Sequence, residues 1–427
     1  MKKNMVGVLA VLLAAFLLPV FAGVGYAEEK PAAGPYAAWD MKPWNDKNYF
    51  PLAVWVQAPN NIAKYKDAGI NLYVGIWGGP KQAKELLPYE KAGMYVICSQ
   101  TEGALSYAKS NPRGIIAAWM HGDEPDNAQT FDKFWGRNLD KMKAAWPGVF
   151  DKYGPKKPYN QYGAPIPPSW IIRDYKALKN KDSRRPIMLN LGVGVADNSY
   201  IGRGERSGKQ EDYPEYLKGC DIGSFDIYPV VSKPPVKGNL WYVPQGVENL
   251  RKWSEYKKPI WNCIECTHIS EPGAIATPAQ IKSEVWMSII AGSTGIIYFC
   301  HEFKPKFIEA GLLAHPEQLS AVASVNRQIT ALAPVLNSPT VEDGVEIKSS
   351  DEDVPVSSMV KSVDGSTYIF TAAMRDKKTT TTATFKLKDS VNATAEVIGE
   401  GRRVEVKNGE WSDKFKGYEV HLYKIKP

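Results

Sequence analysis

Residues 114–127 read "GIIAAWMHGDEPDN". The first half is a continuous run of apolar and small residues, the pattern of a strand buried on both faces in a parallel sheet. The second half turns at once to His121, Gly122, Asp123, Glu124, Pro125 and Asp126. A strand that ends abruptly in carboxylates is the form expected where a parallel barrel presents its C-terminal mouth.

Seven further segments of the same kind lie on either side. They are "FPLAVWVQ" (50–57), "INLYVGIW" (70–77), "MYVICSQ" (94–100), "RPIMLNLGVG" (185–194), "DIGSFDIYP" (221–229), "KPIWNCIECT" (258–267) and "TGIIYFCHEF" (294–303). Between them run segments with apolar residues at helical spacing, such as "TPAQIKSEVWMSIIAGS". Three helical candidates close on "AG", at Gly69, Gly93 and Gly292, as helices do before a following strand. Eight strands alternating with helices predict an α/β chain whose main domain is a (β/α)8 TIM barrel. No glycine-rich phosphate loop follows the first strand, which disfavours a doubly wound open sheet.

From about residue 336 the pattern changes to strict alternation, with turns at "VDGS" and "KNGE" and many Thr and Val residues. This predicts a small C-terminal antiparallel β-sandwich. The expected organisation is therefore a signal peptide at 1–27, a catalytic barrel at 28–335 and the β-sandwich at 336–427.

The first residues pair Lys2 and Lys3 with an apolar run and small residues up to Ala27, the layout of a cleavable secretory leader. It predicts a secreted or periplasmic protein with no membrane attachment once the leader is removed. The formal net charge of +7 includes the two leader lysines, and so mild an excess over 427 residues gives no reason to expect nucleic acid as a partner. Cys98, Cys220, Cys263, Cys266 and Cys300 are too few for a disulfide scaffold, although one bridge is compatible with the count. "CIEC" is not read as a metal motif, because strand alternation sets Cys263 and Cys266 on opposite faces. His121, His268 and His301 stand near strand ends but have no recognised zinc spacing. No metal and no cofactor is expected.

Two strand ends are acidic in apolar surroundings: Asp123 and Glu124 after the fourth strand, and Glu265 in the seventh. A carboxylate buried without a partner is costly, so each of these needs a reason. The mouth ends of strands four and seven face each other across an eight-strand barrel, which can set two carboxylates on either side of one bond. With Glu124 followed by Pro125, Glu265 near the end of strand seven and Tyr228 in "FDIYP" ending strand six, the chain resembles clan A of the glycoside hydrolases. That resemblance implies a retaining β-glycosidase or endo-glycanase acting on an extracellular oligo- or polysaccharide. Glu124 matches the acid/base, Glu265 the nucleophile and Tyr228 the tyrosine that touches the nucleophile. Retaining hydrolysis needs the two carboxyl groups about 5 to 5.5 Å apart.

One residue departs from the clan pattern. An asparagine usually precedes the acid/base, and here Asp123 stands in its place. An adjacent Asp-Glu pair also resembles the substrate-assisted N-acetylhexosaminidases, in which Glu265 would not be a nucleophile. A non-catalytic carbohydrate-binding barrel is the third reading. Pro125 is expected in the first turn of a following helix, with Asp126 as a cap. Substrate contacts are expected from Asp123, Tyr228, the aromatic faces of Trp77, Trp119 and Trp241, and the polar groups of Gln57, Asn190, His121 and His301. Glu302 is a second-choice carboxylate. The oligomeric state is not legible.

Overall fold

The computed structural model describes residues 34–130, 134–135, 139–148, 163–377 and 379–426. The leader expected at 1–27 lies outside them. Eight parallel strands close into a barrel in chain order: β1 (Leu52–Trp55), β2 (Leu72–Val74), β3 (Tyr95–Cys98), β4 (Ile116–Asp123), β5 (Ile187–Leu191), β6 (Ile222–Asp226), β7 (Ile260–Glu265) and β8 (Gly295–Phe299). Pairing of Leu52 with Ile296 and Ala53 with Ile297 joins the last strand to the first. Each of the eight expected segments contains one of these strands, so the TIM barrel is observed.

The helices around the barrel are α1 (Ile62–Asp67), α2 (Leu87–Ala92), α3 (Glu102–Ser110), α4 (Leu139–Ala145), α5 (Pro168–Lys181), α6 (Tyr213–Leu217), α7 (Tyr242–Trp253), α8 (Pro278–Ile290) and α9 (Pro316–Leu336). Among the described residues no helix is long and apolar enough to cross a membrane. The "AG" signal reads correctly: Gly93 ends α2 in the left-handed region at φ 61°. That region carries a steric cost for residues with a Cβ.

Two cores follow from strand alternation. Ala53, Leu72, Val74, Ile97, Met188, Ile222, Trp261, Cys263 and Ile297 fill the lumen, while residues such as Leu52, Val54, Ile264 and Cys266 face the helices. Cys263 and Cys266 thus lie on opposite faces, and all five cysteines are buried free thiols. The base of the lumen is stoppered by a segment that the sequence does not advertise. Tyr36 and Trp44 belong to the lumen core. The Tyr36 hydroxyl donates to Thr294 O at 2.7 Å, and Trp44 Nε1 donates to Ala117 O at 2.9 Å.

The C-terminal domain is two antiparallel sheets packed face to face. One has the order β10 (Val356–Val363), β11 (Ser366–Ala373), β16 (Val420–Ile425), β13 (Ala393–Val397) and β14 (Arg402–Val406). The other has β15 (Glu410–Lys416), β12 (Thr380–Leu387) and β9 (Val345–Ser349). Ile369, Phe385, Val397, Trp411, Phe415 and Tyr423 form the core between them. Asp364–Gly365 and Asn408–Gly409 all have positive φ, as tight hairpin turns demand. The sandwich docks on α8, where Trp286 stacks on Phe370 at 5.5 Å and Ser283 Oγ donates to Tyr418 O at 2.6 Å.

Candidate active site at the barrel mouth

The site begins with an irregularity in β4. Met120 pairs with Met188 and Gly122 with Leu189, so His121 is an extra residue in the ladder. A bulge of this kind re-aims the side chains beyond it. Met120 packs into the lumen core, so unbroken alternation would turn Asp123 outward. The bulge restores Asp123 to register with Asn190, two residues past the lumen-filling Met188.

Asn190 Nδ2 then donates to Asp123 Oδ1 at 2.9 Å and to Asp226 Oδ1 at 3.4 Å, while Ser224 Oγ donates to Asn190 Oδ1 at 2.6 Å. One buried amide at the end of β5 therefore ties the ends of β4 and β6 together. Glu124 comes next, with φ at +43°, a conformation that costs energy for a residue with a Cβ. Its N–H donates to Asn190 O at 2.9 Å, and Asn127 Nδ2 donates to its Oε2 at 2.7 Å.

The carboxyl groups of Glu124 and Asp226 are hydrogen-bonded to each other. Two carboxylates cannot bond without a proton, so the pair holds one between them. Burial pushes Glu124 up to about 7; repulsion from Asp123 and Asp126 adds to this, and the bonds from Asp226 and Asn127 oppose it. Burial, then the charges of Glu124 and Asp123, hold Asp226 well above the ordinary aspartate range. Asp226 therefore keeps the proton and donates to Glu124. Sequence reading missed Asp226, although it stands two residues before Tyr228 in the stretch "FDIYP". Tyr228, partly buried against the lumen core, stands near Asp226 and Cys263. Cys263 is the β7 side chain that feels the carboxyl cluster.

The residues after Glu124 differ from expectation. Residues 125–127 form a turn, and Asp126 is not a helix cap but a fully buried carboxylate. It accepts from Gly192 N at 2.9 Å and from the Tyr213 hydroxyl at 2.8 Å. Nearby, Arg203 donates to Asp126 O at 3.3 Å and pairs with Asp212 at 2.8 Å. These bonds organise the loop region after β5.

Glu265 is fully buried at the end of β7. Val230 N donates to its Oε1 at 2.6 Å and Val231 N to its Oε2 at 3.0 Å. Its carboxyl partner is Glu284 on α8, in the helix layer, and among the described residues no N–H or O–H donor reaches either oxygen of Glu284. Burial pushes Glu265 up to about 7 against the two backbone N–H bonds and the bond to Glu284. Glu124 is bonded to Asp226 and feels the charges of Asp123 and Asp126, whereas Glu265 is bonded to Glu284, so each glutamate has its own acidic partner.

The remaining expected contacts divide. Trp77 is 56% exposed and stacks on His301 at 5.6 Å between ring centres. A chain of rings runs from Tyr228 to Phe299 at 5.1 Å, from Phe299 to His301 at 5.2 Å, and on to the exposed Phe303 and Phe307. An aromatic surface thus connects the carboxyl cluster to solvent.

Four of the proposed contacts are otherwise engaged. Trp119 is wholly buried on the outer face of β4, with Nε1 on Asp182 and its ring under Arg185. His121, the bulged residue, turns outward to Ile171 O at 2.9 Å. Gln57 has Tyr65 on its oxygen at 2.6 Å and Glu309 O on its nitrogen at 2.7 Å. Trp241 is held between Tyr242 and Arg375 of the C-terminal domain. Glu302 is buried against His315 at 2.5 Å, and these two with His268 form a group of potential metal ligands.

No protein-family profile matches the sequence, and no curated protein matches it. Among solved structures, an Anoxybacillus α-amylase aligns at 9% identity and TM-score 0.47, over 89% of this chain and 98% of that one. A GH30 endoxylanase from Clostridium papyrosolvens C71 aligns at 12% and 0.44, over 88% and 96%. A family 39 glycoside hydrolase from Bacteroides cellulosilyticus WH2 aligns at 12% and 0.48, over 89% and 82%. Likenesses this distant carry nothing about chemistry, which rests on the side chains alone.

Proposed function

We propose that this chain is a glycoside hydrolase acting on a β-linked oligo- or polysaccharide whose reacting sugar carries a 2-acetamido group. Glu124 is the general acid and Asp123 orients the acetamide. One observation carries this: Asp123, Glu124 and Asp226 converge at the mouth through Asn190, while Glu265 is enclosed by two backbone N–H groups and Glu284. A direct hydrogen bond between Glu124 and Asp226 is far shorter than the roughly 5 to 9.5 Å that flanking carboxyl groups need on either side of a glycosidic bond. They act together as one acid.

Asp123, exposed on the lumen side, accepts the acetamido N–H. The acetamido oxygen then bonds to the anomeric carbon as the bond to the leaving oxygen breaks, and Glu124 supplies the proton to that oxygen. Glu124, now ionised, takes a proton from the water that reopens the ring intermediate. A group that titrates near 7 suits both steps at neutral pH. The ring surface from Tyr228 to Trp77 supports sugar faces. The lysine-led leader supports a glycan outside the cytoplasm.

A second reading has Glu265 as nucleophile of a double displacement, with Glu124 as acid/base. The two backbone N–H groups on its oxygens favour it, since they stabilise an anion. Turnover of para-nitrophenyl glycosides with and without the 2-acetamido group separates the two. Substrate assistance predicts activity on the acetamido sugar alone, loss of about 100-fold or more in Glu124→Gln, and activity retained in Glu265→Gln. Activity on plain glycosides that vanishes in Glu265→Gln supports the double displacement. Sugar binding that survives Glu124→Gln, with no turnover of any glycan, would identify a binding barrel instead.

A further inference from the structure

The segments leaving β7 and β8 run side by side along one edge of the mouth. Thr267 Oγ1 donates to His301 O at 2.6 Å, and Phe303 N donates to His268 O at 2.9 Å. His268 and Glu302 each stand three residues beyond the end of their strand. The third member is His315, the residue before α9. The turn that delivers it crosses close over Glu302 at Gly311, where a Cβ would meet the Glu302 Cβ at 2.8 Å and Cys300 O at 2.9 Å.

We propose that His268, Glu302 and His315 bind a divalent d-block cation of the zinc class. One ligand atom from each of the three lies within 4.8 Å of the others. Ligands at the usual zinc distances of about 2.0 to 2.2 Å stand roughly 3.3 Å apart in a tetrahedron, so modest side-chain rotations close the set. Two imidazoles and one carboxylate suit zinc, with the fourth position left to water, and do not suit the all-oxygen shells of calcium or magnesium.

The surroundings are those of a ligand set. His268 donates from Nδ1 to Ala274 O at 2.9 Å, which fixes the tautomer and leaves the lone pair on Nε2. Glu302 is 4% exposed and meets His315 Nε2 at 2.5 Å. The cation takes the place of that hydrogen bond, with both atoms as its ligands. The two imidazole rings meet edge to face at 5.2 Å. Sequence reading gave no metal because the three residues are separated by 34 and 13 positions and share no spacing motif. Only the parallel exit of two strands brings them together. The site would clip the loop after β7 to the segment before α9, beside the exposed rings of Phe303 and Phe307.

The test is equilibrium dialysis of the full chain, stripped with chelator, against Zn2+, with bound metal measured by elemental analysis. One equivalent is expected at micromolar free metal. His268→Gln and His315→Gln should each weaken binding roughly 100-fold or more, beyond the loss of an outer-sphere partner. His121→Gln should bind as the parent does. Retention of the fold is checked by circular dichroism, and either folded variant alone is decisive. No Zn2+ retained by the parent, or retention unchanged in a folded His268→Gln or His315→Gln protein, overturns the assignment.

Discussion

Asp226→Ala tests the electrostatics of the mouth, because its effect has opposite signs under opposite protonation states. Asp226 holds the shared proton and donates to Glu124, which titrates at about 7. Hydrolysis needs Glu124 protonated, so kcat/KM should fall as pH rises through that value. Truncation to alanine removes a hydrogen bond to the ionised form of Glu124. Such a bond is worth about 1.5 to 3 kcal/mol, and one pKa unit corresponds to about 1.36 kcal/mol. The alkaline limb should therefore move up by about one to two units, to between about 8 and 9. Asp226→Asn keeps a neutral donor in the same place and should leave the limb near 7. The assay is the pH profile of kcat/KM on an aryl glycoside for all three proteins. If Asp226 were instead the anion, its removal would relieve repulsion and move the limb downward. A downward shift in Asp226→Ala, or equal shifts in both variants, refutes the shared-proton assignment.

Three other perturbations read separate parts of the molecule. Trp77→Ala removes an exposed ring stacked on His301; at about 0.5 to 1.5 kcal/mol for a ring contact, KM should rise about 2- to 12-fold with kcat unchanged, and a kcat loss without a KM change would place the ring outside the substrate path. Glu265, pushed from 4.5 to about 7 on folding, contributes stability that is fully present below about 4.5 and is lost as pH rises through about 7, on the order of 3 kcal/mol. Glu284, also raised well above its ordinary value by burial, adds to the same fall; Glu284→Gln removes that contribution and should shrink the fall in urea-unfolding free energy between about pH 5 and pH 8, whereas an unchanged fall would show that Glu284 is not held protonated by the fold. Arg203→Met strips a donor from the carbonyls of Arg206 and Lys209 and one of two arginines from the buried Asp212, which Arg206 still holds; a loss of about 1.5 to 3 kcal/mol is expected by thermal unfolding, and a loss under about 0.5 kcal/mol would contradict the role given to Arg203.

The barrel was legible because parallel strands buried on both faces leave apolar runs with little alternation, and eight of these recur between helical segments. The hairpins of the sandwich were legible for a local reason: Asp364–Gly365 and Asn408–Gly409 are residues that tolerate positive φ. The stopper of Tyr36 and Trp44 had no such signal. Its order comes from hydrogen bonds to Thr294 and Ala117, more than 70 positions away, and no periodicity in the segment itself reports them.

At the site, legibility depended on parity. Counting by twos along β4 from Met120 sends Asp123 to the helices, and the extra residue at His121 brings it back to the lumen. Nothing in "WMHGDE" marks that bulge, so the clustering of acids after β4 was visible while the aim of each was not. Counting by twos along β7 groups Glu265 with Trp261 and Cys263, yet its carboxyl group is taken by two backbone N–H groups and Glu284. Cys263 is left as the β7 side chain beside the acids. A glutamate in an apolar strand signals that some partner exists, and that partner here is a second buried glutamate on the helix that follows the strand. Asp226 went unnoticed for the converse reason: an aspartate at the end of a strand looks like an ordinary turn residue, and only the approach of β4 and β6 through Asn190 turns it into the proton donor for Glu124. A strand end therefore tells where acid chemistry can be built, and the neighbouring strands decide which carboxyl group performs it.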